Sequence, residues 1–138
     1  MGRFGGPSNS GNNICYAFTE VEGYSKFGSY TGNGSADGPF VYTGFRPRYI
    51  LVKRSSTGAG TANWIVIDTA RDTYNLAGQS LEPNLADAEY TPASSGYPVD
   101  ILSNGFKQRG ASVSQNESGS TYIYMAFAEN PFKNSLAR

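Results

Sequence analysis

At 138 residues with a formal net charge of zero, the chain fits one domain and lacks the basic surface on which sequence-independent nucleic-acid binding depends. It has no His and a single Cys, which excludes Ser-His-Asp triads, Cys-His dyads, His-based zinc sites, CxxC redox pairs and an intrachain disulfide. No apolar run approaches the roughly 18 residues that a membrane-spanning helix needs.

Few charges, 14% aromatic residues and 17 Gly fit a β-rich extracellular or particle-borne protein better than a helical one. A domain of this size buries roughly 68–70% of the surface its unfolded chain exposes, enough for a core without metals or disulfides. Residues 1–13, rich in Gly, Ser and Asn, read as a flexible leader. Ile14 to Phe18 reads as a first strand, with Cys15 a buried thiol. In residues 25–31 Lys26, Gly28 and Tyr30 share one face and Phe27 and Ser29 the other, as in a strand. The Gly-rich stretch 32–39 is a loop, and residues 40–43 form a short strand.

Gly44 to Pro47 turns into a strong strand at 48–54, whose apolar centre at 49–52 predicts cover on both faces. With the run at 62–68 it predicts an antiparallel hairpin, and Trp64 is expected in the core. Leu81, Leu85 and Ala88 would suit a helical turn, but Pro83 and its polar surroundings predict a crossover loop. Residues 90–98 read as a further loop. Asn104-Gly105 predicts a hairpin between the runs at 99–103 and 106–109, and short strands are expected on both sides of residues 116–119. In residues 121–128, Tyr122, Tyr124, Ala126 and Ala128 oppose Ile123, Met125 and Phe127. Both faces are apolar or aromatic, predicting a central strand covered on both sides and ended by Pro131. Roughly eight to ten short strands with turns between them point to an all-β antiparallel sandwich, jelly-roll-like. Residues 14–133 form the single domain, and 134–138 a C-terminal tail.

Paired carboxylates would suffice for glycoside hydrolysis, and the candidates are Glu20 with Glu22, Asp68 with Asp72, and Asp87 with Glu89. A solvated strand face accounts for the first pair, and a local salt-bridged turn of Asp68, Arg71 and Asp72 for the second. Asp37 and Asn33 could offer oxygens to calcium, but the EF-hand spacing is absent and turn chemistry explains them. Arg46, Arg48, Lys53 and Arg54 could read anionic groups or simply project into water. Tyr90 and Tyr97, aromatic residues in polar loops, are the candidate sugar-stacking residues. No catalytic residue, metal site or cofactor is assigned.

The ordered segments VEGYSKFGSYTGNG (21–34), GFRP (44–47) leading into YILVK (49–53), WIVIDTARD (64–72), LEPNL (81–85), ILSNGFK (101–107) and TYIYMAFAENPF (121–132) cover most of residues 20–133. In that order the chain resembles a phage-associated β domain found at the C-terminal ends of tail-fibre-like and other virion proteins. The resemblance implies a non-enzymatic virion protein, a capsid-decoration or tail-fibre component assembled in the host cytoplasm among other virion proteins. A homo-oligomer, a trimer by expectation, follows from that virion context and the abundance of aromatic residues, while zero net charge and the lack of a long apolar run predict neither nucleic-acid binding nor membrane insertion. The alternatives are a receptor-binding module for a host cell-surface glycan and, more remotely, a polysaccharide-degrading enzyme.

Overall fold

Alternation in residues 121–128 sets the architecture. In the computed structural model, which describes residues 16–58, 60–91 and 97–131, this stretch is hydrogen-bonded along both edges. The strands in chain order are β1 (Ser25–Thr31), β2 (Phe40–Tyr42), β3 (Pro47–Arg54), β4 (Ile65–Asp68), β5 (Ser80–Leu81), β6 (Val99–Leu102), β7 (Gly105–Gln108) and β8 (Thr121–Ala128). Every ladder between them is antiparallel. They form a five-stranded sheet in the order β1-β8-β3-β4-β5 and a three-stranded sheet in the order β2-β7-β6. The described residues contain no helix. The leader at 1–13, Cys15 and the tail at 134–138 lie outside the described residues.

One face of each sheet fills the core. From the larger sheet come Tyr122, Tyr124 and Ala126 of β8, Ile50 and Val52 of β3, and Ile65 and Ile67 of β4; from the smaller, Val41, Val99, Ile101 and Phe106. Tyr30 stacks on Tyr122 at 5.2 Å. Phe106 crosses the gap and meets Tyr30 and Tyr124 edge-on, at 6.2 and 5.6 Å, the geometry that the quadrupoles of aromatic rings favour. Two packed antiparallel sheets around one core make the sandwich expected. β1, β2 and β3 alternate between the sheets, as do β7 and β8. Between them, β3, β4 and β5 run as a meander within one sheet and β6 and β7 pair as a hairpin in the other, so what the strand order shares with the expectation is the antiparallel sandwich.

The β3–β4 hairpin forms as its pattern predicts, with Ile50 opposite Ile67 and Leu51 opposite Val66. Pro47 opens β3, where its missing amide hydrogen costs least. The second hairpin forms one residue out of place: Leu102 pairs with Gly105, so Ser103 and Asn104 make the turn. Gly105 is instead a packing residue, because a Cβ there would run into the Val41 carbonyl and the Phe40 ring. Residues 76–88 form the crossover expected, contributing only β5.

Three expectations about the strands fail. Residues 16–18 are not a strand; Phe18 instead lies against Phe27 and Phe127, at 6.1 and 6.2 Å. No strand precedes Asn116, because residues 109–120 are a loop held by side chains. Asn116 donates to the carbonyls of Ser35 and Gly110, both at 2.8 Å, and accepts from the Asn33 amide. Gln108 donates to the Tyr30 hydroxyl, which donates to the Gln115 carbonyl at 2.7 Å. Lastly, β8 is central but covered by a second sheet on one face only. Ile123, on the other face, is 44% exposed.

Truncation of Phe106 to Ala should remove about 3–5 kcal/mol of stability by urea unfolding, the cost of a large cavity in a core. Tyr74→Ala, at a residue 83% exposed, should stay within about 0.5 kcal/mol of the wild type.

Candidate functional site

The outer face of the five-stranded sheet is the unusual surface of this fold. An antiparallel sheet with one solvated face normally alternates apolar-in with polar-out. Here an apolar band crosses the outward phase of four strands, with Ser29, Lys53 and Thr121 beside it. Phe27 of β1 pairs with Met125 of β8, which pairs on its other side with Leu51 of β3, itself opposite Val66 of β4. Phe127 is a hub on this face, meeting Phe18, Tyr24, Phe27 and Tyr49 at 5.8–6.2 Å between ring centroids.

A groove of about 460 Å³ runs between Phe18 and Phe27 on one side and Leu51 and Trp64 on the other, floored by Ile123 and Met125. Beyond Leu51 and Trp64 a second depression of about 360 Å³ reaches Pro83 and Asn84. Trp64 is therefore a wall of the groove, not a core residue. It is one position out of phase with Ile65 and Ile67, which take the inward places. Lys53 rests 5.9 Å from the Trp64 ring centroid and donates its ammonium to the Ala62 carbonyl.

Tyr90 and Tyr97, the sugar-stacking candidates, come together edge-to-face at 5.9 Å. Both hydroxyls are engaged by acids. Tyr97 donates to Glu82 at 2.5 Å and Tyr90 to Asp87 at 3.3 Å. Glu82 is buried and also accepts from Asn63 at 2.9 Å, so it ties the end of β5 to the segments before β4 and β6. Burial first, and then the bond to Glu82, push the Tyr97 phenol up to about 12. The Glu82 charge is the foremost cause raising Tyr90.

The remaining candidates are not brought together as catalytic pairs. Glu20 bonds Lys26 at 2.8 Å and the Phe27 amide at 3.2 Å, contacts that lower its pKa, the Lys26 bond most. Glu22 lies in a turn, not beside it on a strand face. Asp68 pairs with Arg48 at 3.3 Å, Asp72 accepts from the amides of Gly78 and Gln79, and Arg71 reaches Glu89 at 2.6 Å. The turn at 68–72 is thus held by its own backbone and by partners elsewhere, not by salt bridges among its three charged residues. Asp37 faces Lys107 at 2.6 Å and Arg109 at 3.3 Å, and Lys107 is the main cause of its lowered pKa. Two cations occupy the carboxylate that calcium would need. No group of three or more potential metal ligands occurs among the described residues.

Among the basic residues, Arg46 pairs with Glu129 at 2.8 Å, and Arg54 is buried against Glu117 at 2.7 Å. Arg54 therefore does not project into water. Sequence reasoning missed Glu82 and the Phe127 hub. The apolar outward phase of residues 121–128 was the available signal for the latter.

A family profile described as "Domain of unknown function (DUF7483)" matches residues 2–131. The chain belongs to this family. The matched span takes in both sheets and the outer face, and it begins within the Gly-, Ser- and Asn-rich leader. Searches of curated proteins and of solved structures found no match.

Because the folded Tyr97 holds its proton more tightly than an unfolded phenol near about 10, its contribution to stability is complete below about pH 10. It is lost as pH rises through about 12. Tyr97→Phe should flatten that alkaline loss in urea titrations. At neutral pH it should cost about 1–3 kcal/mol, since Glu82 loses a donor in a buried setting.

Proposed function

We propose that this chain is a non-enzymatic structural protein of a phage particle, a capsid-decoration or tail-fibre component, whose sandwich presents the outer sheet face for assembly. One observation carries the reading: a contiguous apolar face spans four strands where a free-standing antiparallel sheet would be polar. Large exposed apolar patches of this kind mark sites covered by another surface. The particle context is drawn from the resemblance of the ordered segments between residues 21 and 132. Engagement of the candidate carboxylates by cations, amides and hydroxyls supports a scaffold in preference to a polysaccharide-cleaving enzyme. In this proposal the protein assembles with other virion proteins in the host cytoplasm and carries no cofactor.

A second reading, recognition of a host-surface glycan, draws support from the Trp64 ring along the groove and from the paired Tyr90 and Tyr97. The assembly reading is preferred because sugars need polar groups beside a stacking ring. The groove walls and floor are mainly apolar side chains, while the two tyrosine hydroxyls are already spent on Glu82 and Asp87.

Quantitative mass spectrometry of gradient-purified particles of the source phage should find this chain in fixed stoichiometry with the major particle proteins. Recovery only in the soluble fraction of the lysate would defeat the assembly reading. Retention on a glycan array that Trp64→Ala abolishes would favour the second.

A further inference from the structure

We infer that a second copy of this chain docks on the open face of the five-stranded sheet, sheet against sheet, in a two-fold pair centred on Ile123 and Met125. The inference rests on the assembly reading above and names the partner for that same face.

Area is the first argument. Tyr16, Phe18, Tyr24, Trp64 and Ile123 are 79, 60, 38, 36 and 44% exposed. At roughly 200 Å² for a large side chain, these five alone offer on the order of 500 Å² of apolar surface. Half-buried Phe27, Met125 and Leu51 lie among them and extend it. The total approaches the ~800 Å² per partner of a stable interface and exceeds what single exposed side chains on a monomer explain.

Charge is the second. On the face itself Lys53, opposite Ile123, holds its ammonium on the Ala62 carbonyl and over the Trp64 ring, and at the rim Arg48 pairs with Asp68 at 3.3 Å. The chain as a whole has no net charge to oppose self-association.

Shape is the third. The face carries a groove and, beside it, the projecting rings of Tyr16 and Phe18. A two-fold axis through the groove floor sets the ridge of each copy against the Leu51 and Trp64 wall of the other, because an isologous interface uses one patch twice. A three-fold ring, the state expected from the particle context, would need two different patches. Trp64 and Ile123 are the residues this pairing buries most.

Sedimentation velocity on the full chain, from submicromolar to high-micromolar concentration, tests the pairing. The expected result is a monomer–dimer equilibrium whose dissociation constant rises at least about 30-fold in Ile123→Lys and in Trp64→Lys, as for central interface residues. Tyr74→Lys, whose neighbour Asn75 bonds to β6 of the smaller sheet, should leave it unchanged. Near-UV circular dichroism verifies that each variant is folded; if Ile123→Lys is not, Trp64→Lys alone decides. A monomer at every concentration overturns the inference, and so does an oligomer indifferent to both face variants. A full chain that stays monomeric and pairs only when residues 1–15 are removed also overturns it, by making the chain's own N-terminal segment the occupant. A monomer in solution that is nevertheless stoichiometric in particles would sink the pairing and spare the assembly reading. A face-dependent dimer absent from particles would do the reverse.

Discussion

The structure depends on β8 lying between β1 and β3. Its two ladders run nearly the full length of the strand, seven register pairs to each neighbour. The first, third and last strands of the described chain are thereby locked into one sheet. That sheet is incomplete until residues 121–128 are in place, so its central pairings are among the most non-local in the molecule. The inward side chains of β8 meet Phe106 and close the core, while the outward ones form the floor of the groove. One strand therefore builds both the fold and its most distinctive surface. The two roles differ only in the parity of the residue.

Polar side chains do what backbone ladders cannot do in the long connections. The loop at 109–120 has no strand partner, yet Ser114, Gln115 and Asn116 within it are buried. The Tyr122 hydroxyl donates to Val113 and accepts from the Glu117 amide, both at 2.8 Å, fastening the loop to β8 itself. Arg54 adds a tie from β3 through Glu117, whose carboxylate also accepts from Ser120 at 2.7 Å. Buried polar groups are costly unless bonded, and these bonds let a polar loop close one part of the sandwich. The Glu82–Tyr97–Asn63 cluster does the equivalent for the crossover through β5.

Legibility in the sequence followed the range of the interactions. The β3–β4 hairpin, the paired runs around Ser103 and Asn104, and the parity of β1 and β8 were readable because they rest on local alternation and turn chemistry. What covers a strand face was not. An apolar outward phase has the same pattern whether a second sheet or another molecule lies over it. Residues 121–128 therefore read as covered on both sides, and Trp64 read as core. The burial of Gln108, Gln115 and Asn116 was not legible, because nothing in their neighbourhood says that Tyr30 and Gly110 will meet them. The carboxylates were paired by nearness along the chain, whereas Asp37 finds Lys107 and Arg71 finds Glu89 through the fold. Departures of local pattern from burial tend to fall at sites of function, and here the largest departure is the outer face.

That face is where the proposed particle role and the proposed pairing converge, and the chain carries its own probe there. Trp64 is the only tryptophan and it lines the groove. Its fluorescence, read with acrylamide quenching across a dilution series, therefore reports directly on whether the face is covered. The account predicts that emission shifts to shorter wavelength and quenching falls as concentration rises, with the same midpoint as the change in mass. Emission and quenching that stay constant over the whole series, with Trp64 open to quencher throughout, would contradict it.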